Sequence, residues 1–95
     1  MCRISGIINQ SIPIVELKAM VKEMCCILKH GGPDDEGIFC DPRNNVVLGH
    51  RRLSLIDLSK SGHQPMEYAE GKYRISFNGE IYNYKELKSQ LQRTG

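Results

Sequence analysis

Apolar and polar positions recur along the chain in a pattern that predicts a strand, a helix, several more strands and a second helix. Residues 3–8 form a short Ile-rich strand. Residues 14–29 predict the first helix, because apolar side chains recur on one face at helical spacing. Glycines and a proline end it at residues 30–33. The apolar face comprises Leu17, Met20, Val21, Met24, Ile27 and Leu28.

Shorter apolar runs between turn-forming residues predict further strands. They are residues 37–40, 46–50, 53–56, 73–77 and 80–82, and residues 59–65 form a loop. In the fourth run Tyr73, Ile75 and Phe77 alternate with polar residues, as in a half-buried strand. A last helix is predicted to start near Asn83, a good N-cap, with Glu86 three residues later as in a capping box. The connections are too short for crossovers, so we expect an α+β protein with a largely antiparallel sheet.

Composition restricts the class of protein. The chain has 95 residues, 40% of them apolar, and a net charge of +2. This indicates one domain with neither a nucleic-acid nor a membrane partner. Its four cysteines follow no secretory signal, so we expect reduced thiols in a cytoplasmic protein. Because no cysteine pair has metal-ligand spacing, no metal site is predicted, and Cys25, Cys26 and Cys40 are interpreted as small buried hydrophobes.

Three short motifs can carry chemistry, and each has a plain structural alternative. After removal of Met1, Cys2 would have both a thiol and a free α-amino group, the pair used by N-terminal nucleophiles. The alternative is a chance cysteine in a frayed terminus. Arg51 and Arg52 point to opposite faces of a strand, so one of them can bind a carboxylate, or both are solvated. Asn78 and Gly79 form a tight hairpin or supply two oxyanion donors.

Five segments in this order resemble the asparagine synthetase branch of the class II glutamine amidotransferases. They are Met1-Cys2 and residues 30–37, 48–58, 62–66 and 75–84. The resemblance covers essentially the whole chain. Amidotransferases that make glucosamine phosphate and phosphoribosylamine share the N-terminal Cys and an Asn-Gly pair. The segments Pro-Asp-Asp, Arg-Leu-Ser-Leu-Ile-Asp and Gly-His-Gln-Pro are instead similar to asparagine synthetases.

The resemblance implies an N-terminal nucleophile hydrolase fold, a four-layer sandwich of helices, two antiparallel sheets and helices. Residues 1–95 would be the N-terminal half of this glutaminase domain, without the ATP-binding synthetase domain. The implied function is hydrolysis of glutamine to glutamate and ammonia, which serves ATP-dependent amidation of aspartate. No cofactor is expected in this segment. ATP and magnesium would belong to the synthetase domain, and a homodimer is expected for a full-length protein.

The resemblance also implies a role for each site residue. Cys2 would form a thioester with glutamine, while the Asn78 side chain and the Gly79 backbone hold the oxyanion. Arg52 would bind the substrate carboxylate, and Glu80 its ammonium group. The backbone lining the pocket would comprise Leu53, Ser54, Leu55 and Ile56.

Two residues depart from the family pattern. Arg3 stands where relatives usually have a small residue, and Gly31 replaces the Arg of a His-Arg-Gly-Pro-Asp motif. These departures bear on glutaminase efficiency and leave the family resemblance intact.

Two alternatives to the asparagine synthetase stay open. One is a truncated or degenerate relative that acts as an interaction module. The other is a related amidotransferase with a different acceptor.

Overall fold

A computed structural model describes residues 2–54 and 59–95 and has the α+β arrangement that the sequence predicts. The chain forms β1 (Arg3–Ile8), α1 (Ile14–Ile27), β2 (Asp35–Asp41), β3 (Val46–Arg52), β4 (Met66–Tyr68), β5 (Tyr73–Ile75) and α2 (Tyr84–Thr94). Short 3-10 helices cover Leu28–Gly31 and Lys60–Gly62. The described residues include no helix with the length and apolar character that a membrane crossing requires.

The first sheet is antiparallel, with β3 between β1 and β2. The predicted turn joins β2 to β3, and the Asp41 carboxylate accepts the backbone N–H groups of Arg43 and Asn44. These bonds give partners to backbone N–H groups of the turn, which lie outside the pairing between the two strands. The short connection explains why β2 and β3 run in opposite directions.

One face of this sheet packs against α1 and forms the core. Leu17, Val21 and Cys25 lie one helical turn apart on α1, and they are fully buried together with Val47 of β3. Gly49 allows this close packing, since a Cβ there would lie 2.7 Å from both the Cys25 Sγ and a Val21 methyl carbon. The core therefore depends on a missing side chain in the central strand.

The buried stripe of α1 differs from the one that we predicted. Met20 and Met24 are 41% and 36% exposed, and Ile27 is 74% exposed. The Leu17–Val21–Cys25 side of the helix faces the sheet. The missing side chain at Gly49 leaves room there for the Val21 and Cys25 side chains. The burial predicted for the other cysteines is wrong at Cys26, which is exposed, and partial at Cys40.

The second sheet is the β4–β5 hairpin, which contacts the opposite face of the first sheet. The Ser76 hydroxyl donates to the Gly49 carbonyl oxygen at 3.4 Å, and the Arg74 guanidinium lies 4.3 Å from the Phe39 ring centroid. The prediction of a half-buried apolar side is wrong here. Tyr73 and Ile75 are 64% and 53% exposed, because the hairpin turns its polar side to the first sheet.

The two remaining predicted strands, at residues 53–56 and 80–82, are not formed by the residues that the structure describes there. Residues 80–82 are not a strand, and Leu53 and Ser54 lie beyond the end of β3. Leu55 and Ile56 fall outside the described residues. Asn83 precedes α2 as predicted, but its side chain accepts no capping hydrogen bond, so the capping box is wrong. None of the α2 side chains is buried.

Candidate active site

Cys2 lies just before β1, next to the end of the central strand. Its Sγ accepts the Leu53 N–H at 3.3 Å and lies 3.6 Å from the Leu53 carbonyl oxygen. The antiparallel pairing of Arg3 with Arg51 brings these two chain segments together. Because β1 and β3 are neighbours in the sheet, a residue at the start of the chain meets one about fifty positions later.

A cleft of about 250 Å³ opens beside the Cys2 thiol. It brings together five residues that the sequence analysis proposed for the site, namely Cys2, Arg52, Leu53, Gly79 and Glu80. Asn78 is half-buried and is not among the residues that line it. The lining residues that the sequence analysis missed are Ser61, Gly62, Gln64, Met66 and Phe77.

The two adjacent arginines are divided between the faces of β3, as strand geometry requires. Arg52 is 7% exposed and lines the cleft, where its Nη1 donates to the Ser59 carbonyl oxygen at 2.6 Å. Arg51 is 6% exposed and points to the α1 side. Its Nε donates to the Gly32 carbonyl oxygen and its Nη1 to Glu36, each at 2.8 Å. Arg51 is thus a structural cation, and Arg52 is the one available to a carboxylate.

The Asn78-Gly79 segment is a loop, not the turn of a tight hairpin. The preceding strand ends at Ile75, and no strand follows before α2 in the described residues. The backbone of Phe77 is held instead by side chains. Its N–H donates to the Gln64 Oε1 at 2.6 Å, and its carbonyl oxygen lies 3.0 Å from the His50 Nε2.

A larger cleft of about 780 Å³ shares Arg52 with the first. Ser54 lines this second cleft, and its N–H donates to the Asp34 carboxylate at 2.8 Å. The His63 Nδ1 lies 2.5 Å from the Asp35 Oδ2 here, a hydrogen bond that becomes an ion pair when the imidazole is protonated. Burial raises the pKa of Asp35, but the hydrogen bond and the charge of a protonated His63, the Glu36 N–H and the charge of Arg52 together lower that pKa overall.

The two departures from the family pattern meet in space. The Arg3 side chain lies against Gly31, and a Cβ at that glycine would be 2.5 Å from the Arg3 Cζ. The Arg3 guanidinium also donates to the Cys2 carbonyl oxygen at 3.2 Å. The absence of a side chain at residue 31 therefore makes room for a cation that contacts the backbone of Cys2.

Within residues 2–54 and 59–95, no group of three or more His, Cys, Asp or Glu side chains is placed to hold a metal ion. The four cysteines are unpaired thiols. His50 and Gln64 contact the backbone of Phe77, just before Asn78, and neither was predicted as a site residue from the sequence. A signal existed for His50, since it lies two positions before Arg52 and therefore on the same face of the strand.

Comparison with known proteins gives a consistent result. The family model described as a glutamine amidotransferase domain matches residues 1–95. Asparagine synthetase [glutamine-hydrolyzing] 1 of Bacillus subtilis is 41% identical and covers 100% of this chain. Asparagine synthetase B [glutamine-hydrolyzing] of Escherichia coli is 34% identical over 95% of it, and amidase chry2 of Gibberella zeae 38% over 96%.

The chain spans only a small part of these relatives. It corresponds to 15% of the Bacillus subtilis protein, 16% of the Escherichia coli protein and 15% of the Gibberella zeae protein. No solved structure matches the chain.

Proposed function

Because this chain belongs to the glutamine amidotransferase domain family, we propose that it supplies the glutaminase chemistry of an asparagine synthetase, with Cys2 as the nucleophile after removal of Met1. The observation that carries this proposal is the cleft in which Cys2, Arg52, Gly79 and Glu80 meet. These residues can supply a thiol, a cation, a backbone N–H and a carboxylate, which are the groups needed to hold and attack an amino acid amide.

Arg52 is suited to the substrate carboxylate. A planar guanidinium can donate two parallel hydrogen bonds to a carboxylate, and this interaction is stronger where water is excluded. Arg52 is nearly buried, and one of its nitrogens is already fixed by Ser59. Such an arginine is oriented before the ligand arrives, so less side-chain entropy is lost on binding. Glu80, in the same cleft, would accept hydrogen bonds from the substrate ammonium group.

Cys2 would attack the side-chain amide carbon of glutamine, with its own α-amino group taking the thiol proton. The new S–C bond converts the carbonyl oxygen into an oxyanion, which the Asn78 amide and the Gly79 N–H would stabilise. When the C–N bond breaks, the proton passes to the leaving nitrogen and ammonia departs. Water then hydrolyses the thioester, which gives glutamate and restores the thiol. The Leu53 to Ile56 backbone would line the pocket.

The finer fold belongs to the same proposal. The observed order of α1, the first sheet and the β4–β5 hairpin would be the first three layers of a four-layer N-terminal nucleophile hydrolase sandwich, of which residues 1–95 form the N-terminal half. Ammonia would pass to a synthetase domain that activates aspartate with ATP and magnesium. The similarity to amidase chry2 favours a second candidate, which is the same glutaminase chemistry with another acceptor.

Intact-mass analysis after exposure to a glutamine-mimicking alkylating agent tests the nucleophile. We expect loss of Met1 and one adduct on Cys2, which excess glutamine prevents. Cys2→Ala should give no adduct and release no glutamate from glutamine. Cys26→Ala is the matched control, since Cys26 is an exposed thiol on α1 and its loss should change nothing.

Two results would overturn the proposal. One is a retained Met1, which would leave Cys2 without a free α-amino group. The other is an adduct on Cys26 or Cys40 that glutamine does not prevent, because it would report only thiol exposure. Either result would favour the non-catalytic interaction module.

A further inference from the structure

His50 is a buried polar residue on the cleft side of the central strand. It is 1% exposed, and its Nε2 lies 3.0 Å from the Phe77 carbonyl oxygen. A carbonyl oxygen can only accept, so Nε2 must carry the proton and donate it. The other ring nitrogen, Nδ1, is buried and has no hydrogen-bond partner among the described residues.

The segment that His50 holds leads directly into the loop of the candidate oxyanion donors. Phe77 precedes Asn78, and it lies two residues beyond the end of β5. No strand ladder fixes its backbone there. The Phe77 N–H is bound by Gln64 and its carbonyl oxygen by His50. Both backbone polar groups of this residue are therefore held by side chains from other parts of the chain.

We propose that His50 is a positioning residue, whose hydrogen bond to the Phe77 carbonyl oxygen fixes the Asn78-Gly79 loop beside the Cys2 thiol. This inference rests on the proposed glutaminase function. His50 itself does not line the cleft, whereas Phe77 and Gly79 both do. Its effect on the reaction therefore passes through the backbone, and small displacements of an oxyanion donor are sufficient to weaken it.

The charge state of His50 agrees with this role. Burial lowers its pKa, whereas the hydrogen bond to Phe77 and the nearby Asp35 carboxylate act in the opposite direction. The positive charge of His63, when that ring is protonated, and that of Arg52 lower the pKa of His50 further, and the net direction is downward. A second proton would have to go to Nδ1, where no acceptor lies among the described residues. The neutral Nε2–H form thus supplies the donor at neutral pH.

Two substitutions separate the donor from the volume of the side chain. Gln at residue 50 keeps an N–H donor at about the reach of Nε2, while Met has similar bulk and no donor. His30→Met is the matched control. His30 also bonds a backbone carbonyl oxygen, that of Ile27 at 3.1 Å, but it is exposed and lies outside the cleft.

Two readouts are measured on the purified chain, namely glutamine hydrolysis and hydrogen exchange of the backbone amides of residues 76–80 without substrate. For His50→Met we expect kcat to fall about tenfold or more with a smaller change in KM, as for an interaction made in the transition state. The amides should exchange faster. His50→Gln and His30→Met should retain wild-type exchange and most of the activity.

The inference is overturned if His50→Met leaves both readouts at the wild-type value, or if His50→Gln is as damaging as His50→Met in a folded protein. If His50→Met does not fold, Gln64→Met replaces it. That change releases the Phe77 N–H instead and should speed exchange of the same amides. If the wild-type chain hydrolyses no glutamine, the proposed function fails, while the exchange comparison still decides whether His50 fixes the loop.

Discussion

The two faces of β3 use different interactions to reach the same degree of burial. On the α1 side, Val47 and Gly49 pack closely against apolar side chains, while Arg51 at the end of the strand bonds Gly32 and Glu36. On the cleft side, His50 and Arg52 are almost as deeply buried, and each bonds a backbone oxygen of a later segment. Buried polar groups require such partners, since an unpaired one is costly. The core face thus depends on close packing of side chains, and the cleft face depends on hydrogen-bond partners.

The largest expected effect is on the core face. Leu17→Ala should lower the free energy of unfolding by roughly 2–5 kcal/mol, because it removes a fully buried side chain and leaves a cavity. Leu91→Ala is the matched control in α2, where the leucine is 70% exposed, and it should change that free energy by no more than about 0.5 kcal/mol. Chemical denaturation measures both. Equal losses would mean that the buried Leu17 contributes no more to stability than an exposed leucine.

The next effect belongs to the cleft side. Under the proposed mechanism, Asn78→Ala should lower kcat for glutamine hydrolysis by about 10²–10³-fold, because the oxyanion exists only after attack. KM should change little. Asn83→Ala is the control, since Asn83 makes no side-chain capping bond. If kcat and KM were damaged equally, Asn78 would be a structural residue of the loop.

The smallest effect is a pH dependence that comes from His50. Its pKa is lowered in the folded chain, so the unfolded chain takes up a proton there at higher pH. The stabilisation is therefore complete above the unfolded pKa of a histidine, about 6.5, and it is lost as pH falls through the lowered pKa of the folded state. Denaturation curves of wild type and His50→Gln over this range should converge toward acid. Parallel curves would show that the pKa of His50 is the same in the folded and the unfolded chain.

Much of the first sheet was predictable because its signals are local. The Asp41 turn, the helix after Ile12 and the antiparallel strands follow from turn residues and periodicity, and all are present. The sides of the later elements were less predictable. Tyr73 and Ile75 alternate with polar residues as a half-buried strand should, yet the polar side is the one that meets the first sheet. Alternation defines two faces but does not say which one is covered.

The candidate site divides in the same way. The sequence by itself determined that Arg51 and Arg52 would face opposite sides, because consecutive strand residues must, and its motifs singled out Cys2, Asn78 and Gly79. Strand geometry left open which arginine faces the pocket, the family resemblance indicated Arg52, and the tertiary structure has Arg52 in the cleft. Only the tertiary structure decided that Cys2 meets Leu53 and that His50 and Gln64 hold Phe77. These contacts join residues far apart in the chain. Their hydrogen bonds depend on distance and angle, and the periodic pattern of a sequence does not define either.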